Sequence, residues 1–213
     1  MDPRQRENPD IQLVETENGE VTLFIDGGQA MQAWERDLMR ESAEILCNHG
    51  SELLEVGLGL GISALVIAGH PNTRRHVVIE KYPQVIELFR ERHPDPPSTL
   101  EIVCADFFDH VRTLPPASFD GIFCDPALPD SIWEDQALWN EVMPWVVRLL
   151  RPEGVFIPAF STRPVLRKQY AHFFDQVVVR RRPFRAYAST WYTSATEGDA
   201  FIQCFSNPAP AHR

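Results

Sequence analysis

Short apolar runs and amphipathic stretches alternate along most of the chain, with glycine, proline or asparagine at their boundaries. Val21-Thr22-Leu23-Phe24-Ile25 reads as a strand ended by Asp26-Gly27-Gly28. A helical stripe over 29–49 follows, its apolar side made by Met31, Trp34, Leu38, Ala43, Ile45 and Leu46, and Asn48-His49-Gly50 stops it. Strands are then predicted at 53–56, 76–80, 100–104, 119–124 and 154–160, separated by helices at 64–68, 83–92, 108–114 and 136–150. Such alternation implies right-handed crossovers and a parallel sheet covered on both faces, a doubly wound α/β fold. The end of the chain departs from it. A helix at 163–174 precedes strands at 176–181 and 200–205 with little helix between them, which suits an antiparallel hairpin at the sheet edge. Residues 1–18 are polar and read as a loose arm able to fold over a ligand.

Length adds that one domain suffices, since 213 residues can bury roughly 70% of the unfolded chain's surface. A formal net charge of −10 repels phosphate backbones and argues against a nucleic-acid substrate. No apolar run reaches about 18 residues and the first residues lack the core of a signal peptide, so a cytoplasmic protein without a membrane partner is expected. Cys47, Cys104, Cys124 and Cys204 are scattered, and no histidine pairs with another histidine or a cysteine at ligand spacing, so no metal site is expected. Arg180-Arg181-Arg182 is either a solvated edge that discourages strand pairing or a contact for an anionic substrate group.

Chemistry concentrates first at Leu53-Leu54-Glu55-Val56-Gly57-Leu58-Gly59-Leu60-Gly61-Ile62-Ser63-Ala64. An apolar strand breaks into three alternate glycines before a helix, so that backbone N–H groups can face a ligand that a Cβ would exclude. Glu55, Gly57, Gly59 and Gly61 resemble motif I of class I S-adenosylmethionine (SAM) methyltransferases rather than a dinucleotide fingerprint; a glycine-rich turn without a ligand is the plain alternative. In a doubly wound sheet the ligand lies beyond the strand ends. Glu80 ends a strand about 20 residues past the glycines, where a carboxylate can accept bonds from ribose hydroxyls. Lys81 follows it in the expected cofactor set; the alternative is that Glu80 caps the next helix or pairs with Lys81. Ala105, Asp106 and Phe107 are placed to cover adenine, although Asp106 could merely cap a helix. Asp125 ends the strand nearest the reacting centre. Asp125-Pro126 also half resembles the Asp/Asn-Pro-Pro-Tyr motif of amine-modifying nucleic-acid methyltransferases, but Ala127 and Leu128 replace its second proline and aromatic.

Leu23 to Glu35, Leu54 to Gly57, Phe119 to Ile122 and Arg148 to Val155 together resemble guanidinoacetate N-methyltransferase and its arginine-methylating relatives, most specifically at Met31-x-x-Trp34-Glu35. The resemblance implies a mostly parallel seven-stranded Rossmann-like sheet with an antiparallel C-terminal hairpin, and a homodimer; Phe24 and Trp34 are expected to close over the site as part of an N-terminal lid. It also implies that Glu35 and Asp125 hold the substrate's guanidinium, a planar cation that two carboxylates can grip while one takes its proton. The pocket departs from the family at Asp125-Pro126-Ala127-Leu128-Pro129, at Trp133-Glu134 and at Ile157-Pro158-Ala159-Phe160-Ser161. Of Trp34, Phe123, Trp133, Trp139, Phe160, Trp191 and Tyr192, two or three are expected to line it, with Trp34, Trp133 and Phe160 as the substrate-binding set. The expected activity is methyl transfer from SAM, giving S-adenosylhomocysteine, to a small amine, guanidino or heteroaromatic metabolite such as an indole. A SAM-binding sensor, or an enzyme that cyclises SAM, is the alternative.

Overall fold

In the computed structural model, which describes residues 9–209, three antiparallel strands come first: β1 (Ile11–Glu15), β2 (Val21–Ile25) and β3 (Gly28–Gln32). A 3₁₀ turn (Ala33–Glu35) leads into α1 (Arg36–Cys47). The main sheet then alternates with helices: β4 (Glu52–Val56), α2 (Ile62–Gly69), β5 (Arg75–Glu80), α3 (Pro83–Arg92), β6 (Leu100–Cys104), α4 (Phe107–His110) and β7 (Phe119–Cys124). It ends with α5 (Asp130–Trp133), α6 (Gln136–Leu149), β8 (Leu150–Pro158), α7 (Lys168–Ala171), β9 (Phe174–Arg185) and β10 (Glu197–Pro208).

The seven strands of the main sheet lie in the order β6-β5-β4-β7-β8-β10-β9, the first five parallel and the hairpin β9–β10 antiparallel at one edge. β4, β5 and β7 are buried almost throughout because both their faces are covered. One core packs Trp139, Met143, Phe156, Tyr170 and Phe205 on one face, and another packs Leu46, Leu53, Ile67, Phe123 and Ile157 on the other. The strand order reverses between β4 and β7, so the crevice for a ligand opens beyond Val56 and Cys124. Among the described residues no helix is long and apolar enough to cross a membrane.

Four local expectations are corrected. The arm at 1–18 carries a strand in its described part, since Ile11–Glu15 pairs with β2; residues 1–8 lie outside the described residues. The helix expected from residue 29 starts only at Arg36, because Asp26 and Gly27, at φ 51° and 75°, turn the chain back to pair Gly28 with Ile25. Buried Gln32 then closes the strand, donating to the Thr22 hydroxyl at 2.9 Å and accepting from the Trp34 indole at 3.0 Å. The helix at 163–174 shrinks to Lys168–Ala171, while both edge strands lengthen to 12 residues by pairing with each other from Glu197↔Arg185 to Pro208↔Phe174. Arg180 and Arg182 pair with Glu41 and Arg181 with Asp199, so the basic triplet is an ion-paired edge outside the site.

Candidate active site

The turn after β4 is built on left-handed glycines: Gly57, Gly59 and Gly61 have φ of 90°, 51° and 74°. At Gly57 a Cβ would stand 2.7 Å from the Asp125 carbonyl oxygen, so only glycine lets the ends of β4 and β7 come together. Gly61 ends the turn against the Phe89 ring and starts α2. Glu55 braces the turn from within: it accepts a bond from the Ser63 hydroxyl, lies 3.1 Å from His76 Nε2 and is 1% exposed. Neither Glu55 nor Gly61 reaches the cavity that the turn borders.

That cavity, about 970 Å³, runs along the ends of β4, β5, β6, β7 and β8 under the N-terminal strands. Gly57, Gly59, Glu80, Lys81, Ala105, Asp106 and Phe107 line one part of it. Glu80 is held before any ligand arrives, one oxygen accepting from Leu58 N–H at 2.8 Å and the other from Tyr82 N–H at 2.9 Å. Burial raises its carboxyl, and those backbone bonds pull it back. Asp106 caps α4 by accepting from Phe108 N–H at 2.9 Å and also pairs with Lys81 at 2.8 Å. The expected cap and a place in the cavity wall therefore coexist in one side chain. Glu80, fixed at the edge of a glycine turn, and the ring of Phe107 form a cradle that fits a ribose and an adenine.

Asp125, half-buried after β7, and Glu35, 6% exposed at the start of α1, line the same cavity. One Glu35 oxygen accepts from Gln32 N–H at 2.7 Å and from the Tyr192 hydroxyl at 2.6 Å. Burial raises the Glu35 carboxyl to about 7 in spite of both bonds. Asp125 is pushed well above its ordinary value by burial and by the charges of Glu35 and Glu55, while the Arg167 guanidinium opposes the rise. Two such groups facing one space can hold a cation and take a proton from it.

Four of the seven candidate rings, Trp133, Phe160, Trp191 and Tyr192, line the cavity, where two or three were expected. Phe123 and Trp139 are wholly buried core, and Trp34 lies behind the wall, stacked on Tyr192 with 6.1 Å between ring centres. Phe24 is likewise outside the lining and meets Trp191 edge-on at 5.9 Å. Leu23, Ile25, Gln29 and Met31 form the cover instead. Gln29 ties it down, donating to Ser189 O at 2.8 Å and accepting from Trp191 N–H at 2.9 Å. Arg167 and the role of Tyr192 were missed in the sequence.

A family model described as guanidinoacetate N-methyltransferase matches residues 10–177, which include the glycine turn, Glu35, Glu80 and Asp125. The chain belongs to the guanidinoacetate N-methyltransferase family. That family belongs to the class I SAM-dependent methyltransferases, and the Rossmann-like sheet with its edge hairpin agrees with membership. A protein arginine N-methyltransferase 2 from Yarrowia lipolytica is 27% identical over 151 residues, 68% of this chain and 31% of that protein. The chain thus spans about a third of the length of that curated relative. Among solved structures, spermidine synthase from Thermotoga maritima superposes with a TM-score of 0.70 at 18% identity, covering 95% of this chain and 71% of that one. A spermidine synthase in complex with the transition state analogue AdoDATO gives 0.68 at 17% identity, over 95% and 72% of the two chains. These two likenesses establish a shared fold.

Proposed function

We propose that the protein methylates a nitrogen of a small metabolite, an amine, a guanidino compound or a nitrogen heteroaromatic, held by Glu35 and Asp125. The observation that carries this reading is the pair itself: two carboxyls raised by burial, from α1 and from the end of β7, facing one cavity beside the glycine turn. Bound SAM supplies an electrophilic methyl on a sulfonium and leaves as S-adenosylhomocysteine. Gly57 and Gly59 give it room, Glu80 offers its free lone pairs to the ribose hydroxyls, and Ala105, Asp106 and Phe107 border the base. Asp125 orients the acceptor nitrogen and receives its proton, and Glu35, fixed by Gln32 and Tyr192, holds a second N–H. Trp133 and Phe160 wall the acceptor and keep water out, so that alignment supplies most of the rate gain.

Formation of S-adenosylhomocysteine from SAM, followed with a panel of guanidino compounds, amines and indoles, tests the reading. Turnover with a panel member, lost in Asp125→Asn, supports it. Tight SAM binding without any transfer by the wild type would move the protein to the non-methylating alternative.

A further inference from the structure

Glu35 meets the cavity with one oxygen already engaged. Its Oε1 accepts from Gln32 N–H at 2.7 Å and from the Tyr192 hydroxyl at 2.6 Å. A carboxylate oxygen has two lone pairs, so these two donors fill it. Oε2 takes no hydrogen bond among the described residues and is what remains for an acceptor. The Gln32 bond is local to the 3₁₀ turn. The Tyr192 bond comes from the connection between β9 and β10, outside the residues 10–177 that the family model matches. That connection is held in place. Gln29 clamps it at Ser189 O and Trp191 N–H, the Thr190 hydroxyl donates to buried Gln32, and the Tyr192 ring stacks on Trp34 with 22° between their planes. Burial and the Glu35 charge push the Tyr192 hydroxyl up, so it stays a donor.

The count of free oxygens bears on the acceptor. A guanidinium presents a rigid, planar fork of N–H donors and is best matched by both oxygens of a facing carboxylate. With Oε1 filled, Glu35 offers it a single point. Asp125 faces the reacting nitrogen, and the remaining wall is made of the rings of Trp133, Phe160, Trp191 and Tyr192. Donors of the fork left unpaired there would cost their desolvation. An amine brings fewer N–H groups and can turn them onto Glu35 Oε2 and Asp125. We propose that Tyr192, by occupying Glu35 Oε1, sets the acceptor class, so that amines are favoured over guanidines of the same skeleton. This rests on the proposed roles of Glu35 and Asp125. In the transfer, the amine lone pair bonds the methyl as the S–C bond breaks, sulfur keeps that electron pair, and an N–H proton passes to Asp125.

The test titrates protein saturated with S-adenosylhomocysteine with matched pairs, butylamine against butylguanidine and phenethylamine against phenethylguanidine, in one buffer. The wild type should bind the better amine more tightly than its guanidine partner by roughly 10-fold or more. Tyr192→Phe keeps the ring and frees Oε1, so the guanidines should gain on the amines and the preference should shrink by about 10-fold. A change in Glu35 ionisation acts on both members of a pair and cancels in their ratio. Guanidines bound as tightly as amines by the wild type overturn the proposal and leave the carboxylate pair standing. So does a Tyr192→Phe protein that binds S-adenosylhomocysteine normally and keeps the wild-type preference, because Tyr192 then only shapes the wall. Binding of neither series by the wild type, with S-adenosylhomocysteine bound, overturns the grip of Glu35 and Asp125 and the proposal with it.

Discussion

The Tyr192 hydroxyl donates a 2.6 Å hydrogen bond to the Glu35 carboxylate across 157 positions of sequence. That bond favours the ionised carboxylate, which a cationic acceptor needs, and so opposes the burial that raises Glu35 to about 7. Tyr192→Phe removes the donor and leaves the ring. The alkaline shift of Glu35 should then grow, and acceptor binding, measured as KM against pH, should reach its plateau at higher pH than in the wild type.

Asp125 is placed to take the proton from the acceptor nitrogen. Asp125→Asn should lower kcat by about 100-fold or more, the usual reach of a lost general base. Its S-adenosylhomocysteine affinity, read by calorimetry, should stay within a few-fold, since Glu80 and the glycine turn are untouched.

Gly57 combines φ of 90° with a missing Cβ that would sit 2.7 Å from the Asp125 carbonyl oxygen. Gly57→Ala should cost roughly 1–3 kcal/mol of stability from the backbone conformation alone. Separating β4 from β7 there should also abolish SAM binding, which a calorimetric titration of the folded variant would show.

Glu35 links stability to pH. Its carboxyl titrates near 7 when folded, against 4.5 as the ordinary value, so its favourable contribution is complete below about 4.5 and is lost as pH rises through about 7. The loss amounts to roughly 3 kcal/mol. Glu35→Gln keeps an oxygen for Gln32 and Tyr192 without the charge. Thermal melts should show the variant more stable than the wild type at pH 8 and similar to it at pH 4, while its turnover falls.

The doubly wound sheet was legible because β4, β5 and β7 are buried on both faces and therefore carry short apolar centres, Leu53-Leu54, Val77-Val78-Ile79 and Ile122-Phe123-Cys124, between turn residues. β3 was not, since Met31 and Trp34 fall three apart and continue the helical spacing of α1, which hides the return strand after Asp26-Gly27. The acidic pair could be named because Glu35 sits inside a segment that resembles a known family and Asp125 three residues beyond another, Phe119 to Ile122. Trp34, in the same segment, turns its indole to Gln32 and stacks behind Tyr192, an orientation that spacing does not encode. Tyr192 lies in a connecting segment without periodicity and Arg167 in a stretch that reads as helix but is helical only from Lys168, and contacts over long sequence separations, to Glu35 and Gln203, hold them at the cavity.

The most direct measurement of methyl transfer is mass spectrometry of the protein incubated with SAM carrying an isotopically labelled methyl and a pooled panel of amines, guanidino compounds and indoles. The labelled methyl should appear on the nitrogen of one panel member, with S-adenosylhomocysteine formed in equal amount, and should disappear with Asp125→Asn. Methylthioadenosine in place of S-adenosylhomocysteine, with no labelled acceptor, would contradict methyl transfer and show that SAM is consumed in another reaction.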